Sequence, residues 1–221
     1  MGFVVAIDGP AGSGKGTIAK NISERLNLVN IDTGAMYRCI ALKMLRENVG
    51  LEDLDKIKEI LKEVEIELKP EENIYRVYLN GEDVSTAIRT EEVTNYSSPA
   101  SKIPIVREKL VELQRKTADN ADIVMEGRDI GTNVFPNANV KIYLDATPEE
   151  RARRRLKQNL EKGIETDYET VLKDIKERDY RDSTRELNPL KQAEDAIYVD
   201  STNLSIEEVT QKVIDIINEK R

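Results

Sequence analysis

Directly after the apolar run Phe3–Ile7 the chain reads DGPAGSGKGT, Asp8 to Thr17. Four glycines, a proline and a lysine in ten residues constrain the fold more tightly than any other stretch. Glycine loses more entropy on folding than any other residue, so a cluster marks backbone that must turn sharply or approach something closely. Gly9, four intervening residues and then Gly14-Lys15 fit a loop whose successive backbone N–H groups form a nest for phosphate oxygens. The loop spans Gly9, Pro10, Ala11, Gly12, Ser13, Gly14, Lys15, Gly16 and Thr17. Its flanks agree. A buried strand precedes it, and Ile18, Ile22 and Leu26 recur every four residues after it, as one face of a helix does. That helix would turn its positive end toward the phosphate, and Lys15 adds a full charge. Gly16 stands where Ser or Thr commonly follows the lysine; the hydroxyl comes one position later, at Thr17.

The rest of the chain alternates strands and helices. Phe3–Ile7, Leu28–Ile31, Ile123–Met125, Val140–Leu144 and Ala196–Val199 are short, continuous and rich in β-branched residues, as buried parallel strands are. Helical segments between them predict βαβ units and an α/β fold, a five-stranded parallel sheet flanked by helices. Helix starts are legible at TPEE (Thr147–Glu150), TDYE (Thr166–Glu169) and SIEE (Ser205–Glu208), each a capping-box signature. The last of these opens a helix with Ile206, Val209, Val213, Ile216 and Ile217 on one face. The middle breaks the rhythm. Leu54, Ile57, Ile60, Leu61 and Val64 predict a helix. Ile66 and Leu68, then Tyr75, Val77 and Leu79, alternate as antiparallel strands do, and Asn80-Gly81 predicts a hairpin turn. A small β-containing insertion at residues 60–100 is expected, within a core of residues 1–60, 100–150 and 186–221.

Composition narrows the chemistry. There is no histidine, so histidine triads, proton shuttles and metal sites are excluded. Reactions must run on carboxylates, arginine, lysine, hydroxyls and a bound ion. A net charge of −8 argues against a dedicated nucleic-acid binder. Cys39 is the only cysteine and forms no intrachain disulfide. With no apolar run of transmembrane length and no signal-like start, a cytoplasmic protein is expected, without a membrane partner and monomeric.

A phosphate loop serves a GTPase switch, an ATP-driven machine or a small-molecule kinase. Neither an Asn-Lys-x-Asp nor a switch Asp-x-x-Gly occurs, and the chain is short for a mechanical ATPase. A kinase must gather a second substrate beside the triphosphate and exclude water, which calls for arginines and mobile covers. The arginines are present. DTGAMYR ends in Arg38, IRT supplies Arg89, EGRDIGT carries Arg128-Asp129, ERARRR gives Arg151, Arg153, Arg154 and Arg155, and IKERDYRDSTR gives Arg178, Arg181 and Arg185. Arg38 and Arg128 fall just past the carboxyl ends of predicted strands, where open α/β sheets bind ligands. Continuing the stripe Tyr168, Val171, Leu172, Ile175 by threes and fours reaches Arg178, Asp182 and Arg185, so an apolar helix face is expected to become a charged one.

The motifs DGPAGSGKGT, IDTGAMYR, IRTEEV, EGRDIGT, KIYLDATPEERARRR and IKERDYRDSTR together resemble the bacterial cytidylate kinases, in order and over nearly the whole chain. The Gly-Lys-Gly-Thr form of the loop is typical of nucleoside monophosphate kinases. The resemblance implies a P-loop NTPase core and transfer of the γ-phosphoryl of ATP to CMP or dCMP with Mg²⁺. It also implies that the insertion belongs to the monophosphate-binding domain and that residues 151–166 form a short helical lid over ATP. Carried over residue by residue, Lys15 and its loop hold the donor phosphates, with Arg154 and Arg155 on the ATP side and Thr17 at the metal. Thr33, Arg107 and Asp129 face the cytosine ring, Arg178 and Asp182 the sugar, and Arg38, Arg128 and Arg185 the acceptor phosphate. Thr33 keeps the hydroxyl of the serine usual there, and Glu126 stands where aspartate is common.

The residues support a phosphate acceptor independently. Transfer to an alcohol usually wants a carboxylate base, and Asp32 or Asp129 would be available for one. A monophosphate, with a second pKa of about 6, is already nucleophilic at neutral pH and needs none. Arginine forks meet the electrostatic problem of bringing two anions together. The choice of cytosine comes from the resemblance alone.

Overall fold

The computed structural model describes residues 2–71, 74–119, 121–161 and 163–221. The chain runs through β1 (Val4–Asp8), α1 (Lys15–Leu26), β2 (Val29–Asp32), α2 (Thr33–Arg46) and α3 (Leu54–Glu63). The strands β3 (Ile66–Glu71), β4 (Ile74–Leu79) and β5 (Glu82–Asp83) follow, then α4 (Glu91–Ala100) and α5 (Pro104–Thr117). It ends with β6 (Ile123–Gly127), β7 (Val140–Asp145), α6 (Pro148–Glu161), α7 (Tyr168–Thr184), β8 (Ile197–Asp200) and α8 (Ile206–Lys220). Two compact units result, one of residues 2–30 and 118–221 and one of Ile31–Thr117.

The first unit is built on a five-stranded sheet in the order β2-β6-β1-β7-β8. Its pairings β1–β6, β1–β7 and β7–β8 are parallel, as the short apolar strands predict. β1 lies in the middle with every residue buried, so the loop after it leaves the sheet at its centre. Ile18 and Ile22 of α1 and Val209, Val213 and Ile217 of α8 pack with Val5, Ile7, Val124 and Ile142 into one core. Ile206, expected on that apolar face, is the first residue of α8 and 58% exposed, because the helix starts beyond the edge of the core. The capping box of α8 is complete: Ser205 accepts from the Glu208 N–H, and Glu208 accepts from the Ser205 N–H. A smaller cluster of Ala152, Val171 and Ile175, with Leu156 and Leu172 against it, holds α6 to α7.

Two other helix starts differ from the expectation. Thr147 caps α6 through the Glu150 N–H, but the Glu150 carboxylate turns to Arg153 and Arg154, and Thr202 accepts the Thr147 N–H instead. α7 is capped by Asp167, one residue after the expected Thr166, because the Asp167 carboxylate takes both the N–H and the hydroxyl of Thr170. α7 also ends at Thr184, so Arg185 is no longer on a helix face; its backbone is extended.

The second unit holds the antiparallel sheet β3-β4-β5. Asn80 and Gly81, both at positive φ, make the tight turn between β4 and β5, whose register pairs Leu79 with Glu82. Val77 and Leu79 are buried; the Tyr75 side chain lies outside the described residues. The unit is larger than the segment marked by these strands, taking in α2 and α3 before them and α4 and α5 after them. In α3, Ile57, Ile60 and Leu61 are buried while Leu54, at its first position, is half exposed. Cys39 of α2 is fully buried, and burial pushes its thiol up to about 12.

Candidate active site

The loop after β1 has the geometry its glycines predict. Gly9, Gly12 and Gly14 all have positive φ. A Cβ on Gly9 would collide with the Leu144 carbonyl of β7, so only glycine lets the chain pass that strand. Gly14 caps α1 and offers no side chain to its first N–H groups, and no acid lies in the first turn. The helix therefore presents its positive end with nothing of its own to neutralise it. Lys15 is buried inside the loop, donating to the Pro10 carbonyl at 2.8 Å and the Ser13 hydroxyl at 3.4 Å. Burial above all, with the Arg128 charge next, brings its ammonium down to about 7 against the pull of Glu126 and Asp8.

Glu126 lies against Gly16: a Cβ there would sit 2.8 Å from its Oε1, the movable end of the side chain, so a Ser or Thr at this position would make the carboxylate shift. Thr17, which keeps the hydroxyl, is exposed. Among the described residues no group of three His, Cys, Asp or Glu side chains forms a ready-made metal site.

The GRD segment at the end of β6 is fixed from beneath by Asp8. The buried Asp8 carboxylate accepts the N–H groups of Ile130 at 2.8 Å and Gly131 at 2.7 Å. Burial outweighs these bonds and pushes its carboxyl up to about 6. Above this base two ion pairs form. Arg128 Nε donates to Asp182 at 2.9 Å, and Arg185 donates to Asp129 at 3.0 Å, with the Asn133 amide on the other Asp129 oxygen at 3.1 Å. Burial pushes the Asp182 carboxyl up, but Arg128, Arg178 and Arg185 together hold it below its ordinary value.

The arginines of α6 separate into different roles. Arg151 is buried, with its guanidinium on the Ala146 carbonyl at 2.8 Å, the Ala11 carbonyl at 3.1 Å and the Asp179 carboxylate at 2.7 Å. Arg154 holds Glu150 and donates to the carbonyl and hydroxyl of Ser201, whereas Arg155 is exposed. In the second unit, Asp32 caps α2 through the Ala35 N–H and pairs with Arg38 at 3.1 Å. A Cβ on Gly34 would lie 3.0 Å from that carboxylate and 3.1 Å from the guanidinium, so a larger residue in DTG would press on this pair. Thr33 is buried at the start of α2. Arg107 of α5 is buried, donates to the Ser101 carbonyl at 3.2 Å and lies 5.6 Å over the Tyr37 ring.

Sequence reasoning gave no role to Asp8, Asn133, Asp179 or Ser201, and it placed Arg151 only among a run of charges. The signal for Arg151 was its place directly before Ala152, which packs against α7; for Asp8 it was an acid ending a buried apolar strand.

A phosphate loop leaving the middle of a parallel sheet, with a buried lysine inside it and arginine–carboxylate pairs on the neighbouring strand end, defines a P-loop phosphotransferase. A cytidylate kinase family profile matches residues 5–219. The cytidylate kinase of Caldicellulosiruptor bescii is 51% identical over 212 residues, covering 96% of this chain and 94% of its own. That of Bacillus subtilis is 48% identical over 216 residues, covering 98% of this chain and 96% of its own. An uncharacterized protein from Eubacterium ventriosum, known by crystal structure, matches with a TM-score of 0.53 at 14% identity over 98% of both chains, a likeness of fold alone. This chain belongs to the cytidylate kinase family.

Proposed function

We propose that this chain transfers the γ-phosphoryl of ATP to CMP or dCMP, giving ADP and CDP or dCDP, with its own residues in the roles that follow. Lys15 and the loop from Gly9 to Thr17 hold the donor phosphates, with Arg154 and Arg155 on the ATP side. Arg38, Arg128 and Arg185 take the acceptor phosphate, Arg178 and Asp182 the sugar, and Thr33, Arg107 and Asp129 the cytosine. The insertion at residues 60–100 serves the monophosphate and the segment 151–166 serves as lid. The chain works as a cytoplasmic monomer.

One observation carries the reading at the residue level. Burial lowers the pKa of the Lys15 ammonium most, the Arg128 charge adds to that, and the Arg178 charge adds more weakly. Cations assigned to the donor and to the acceptor thus share one field, which suits two anions that must meet. The family match supports the nucleotide substrates. Both oxygens of Asp129 accept hydrogen bonds from neighbouring side chains, which favours recognition over service as a general base. No base is needed for a monophosphate acceptor.

A magnesium ion fits the donor set. Mg²⁺ keeps most of its waters and takes one or two protein oxygens besides the phosphates. The Thr17 hydroxyl would hold it, with Glu126, beside Gly16, as the carboxylate within its neighbourhood. When bound, the ion neutralises charge on the β- and γ-phosphates.

The test is ADP formation with CMP, dCMP, UMP, AMP, GMP and shikimate as acceptors. Turnover with CMP and dCMP well above the others is expected. Turnover with shikimate alone would overturn the reading in favour of an alcohol kinase, and ATP binding without transfer to any acceptor would leave a binding module.

A further inference from the structure

We propose that Arg151 is a positioning residue that couples the donor loop to α7, so that the loop shaped by ATP favours the α7 placement that presents Arg178 and Asp182 to CMP. This rests on the CMP kinase reading above.

Arg151 lies in the first turn of α6 and its side chain is only 4% exposed. Its acceptors sit on three separate pieces of the site. Ala11 belongs to the phosphate loop, Ala146 to the end of β7, and Asp179 to α7. The loop also passes close to the same residue, since a Cβ on Gly12 would lie 3.3 Å from the Arg151 Cβ. A shift of the loop tip therefore moves either the guanidinium or the bond it makes to Asp179. On α7, Asp179 stands beside Arg178 and one turn before Asp182, the partner of Arg128. A displacement at Asp179 is passed along a rigid helix to both side chains assigned to the sugar.

The pair is not a saturated structural clamp. Asp179 Oδ1 is buried and has no hydrogen-bond partner, so only its other oxygen ties α7 to Arg151. Packing of Ala152 and Leu156 against Val171 and Ile175 keeps α6 and α7 together, and the guanidinium fork sets the direction in which Asp179 is held. Lysine would keep the charge at this place but, as a point donor, could not hold the carbonyl and the carboxylate in fixed directions. Coupling of this kind is a free energy shared by two binding events and is reciprocal.

Calorimetric titration tests it, with CMP binding measured in the presence and absence of a non-hydrolysable ATP analogue, for the unaltered protein and for Arg151→Lys and Asp179→Asn. The unaltered protein should bind CMP at least about fivefold more tightly with the analogue present. In Asp179→Asn, CMP alone and analogue alone should bind within about twofold of the unaltered values, and in both variants the enhancement falls to about twofold or less. The steady-state counterpart is a raised KM for CMP at saturating ATP with little change in the KM for ATP. Enhancement retained in both variants, or absent from the unaltered protein, would overturn the proposal. If circular dichroism shows that Arg151→Lys does not fold, Asp179→Asn decides; if neither folds, Arg151 is a residue of the fold and the coupling role is lost. Failure of the unaltered protein to phosphorylate CMP would instead strike the functional reading, and it is seen without any variant.

Discussion

Lys15 donates to its own loop from a buried position, and its ammonium is poised at about 7. A triphosphate placed against it favours the charged form and raises that value. ATP binding at about pH 8 should therefore take up most of one proton, and the uptake should vanish below about pH 6, where the lysine already carries it. Titration calorimetry in buffers of different ionisation enthalpy reads this directly; identical heats in every buffer at the higher pH would contradict it. Asp129 poses a different test, because Arg185 and Asn133 hold both its oxygens. Asp129→Asn keeps the shape but replaces an acceptor for the cytosine amino group with a group that also donates, which uracil tolerates. Discrimination between CMP and UMP should fall by roughly ten- to a hundredfold, the worth of one hydrogen bond to a charged group. Equal loss of both activities would show that Asp129 serves Arg185 and not the base. At this scale the sequence displayed residue types, and their partners stayed hidden. Nothing in EGRDIGT announces that Asp129 meets Arg185, because the two are far apart in sequence and meet only through the fold.

At the scale of elements, periodicity and caps carried most of the architecture. All five strands of the sheet lie within a residue or two of the apolar runs; β1, β6 and β7 are buried along most of their length, whereas the edge strands β2 and β8 are mostly exposed or half-buried. Ends were less legible. Asp167 displaced Thr166 as the cap of α7, since adjacent Thr and Asp both suit the position and only the Thr170 hydroxyl decides between them. The charged continuation of α7 was read correctly as far as Asp182, while the helix ended before Arg185, a stop that the local sequence does not mark. The complete box at Ser205 gives an element whose stability is separable from the chemistry. Ser205→Ala removes one acceptor from the start of α8 and should cost about 1 kcal/mol. For a protein of this size that lowers the thermal midpoint by roughly 2–4 °C. ATP and CMP kinetics should be unaltered, since α8 packs on the sheet through Val209, Val213 and Ile217. A midpoint that does not move, or a changed KM, would contradict this account.

For the whole molecule, the division into Met1–Asn30 with Ala118–Arg221 and Ile31–Thr117 was only partly foreseeable. The antiparallel strands mark an insertion by their change of period, but nothing in the periodicity of α2 or α5 shows which compact body each joins. A ligand that binds only the folded chain stabilises it. At a hundredfold excess over its dissociation constant a ligand adds about 2.7 kcal/mol. CMP at that level should thus raise the melting midpoint by roughly 5–10 °C, and UMP at the same concentration by clearly less. Differential scanning fluorimetry separates these outcomes, and equal shifts for the two nucleotides would count against base recognition. The seclusion of Cys39 has a practical consequence of another kind. The only thiol in the protein is sealed in a helix and held almost wholly protonated at neutral pH, so alkylating dyes have nothing native to attack. A cysteine placed at Leu160, 57% exposed near the end of α6, would be the sole point of attachment for a fluorophore, and any change in the surroundings of α6 during turnover could be watched without first stripping the protein of competing sulfur.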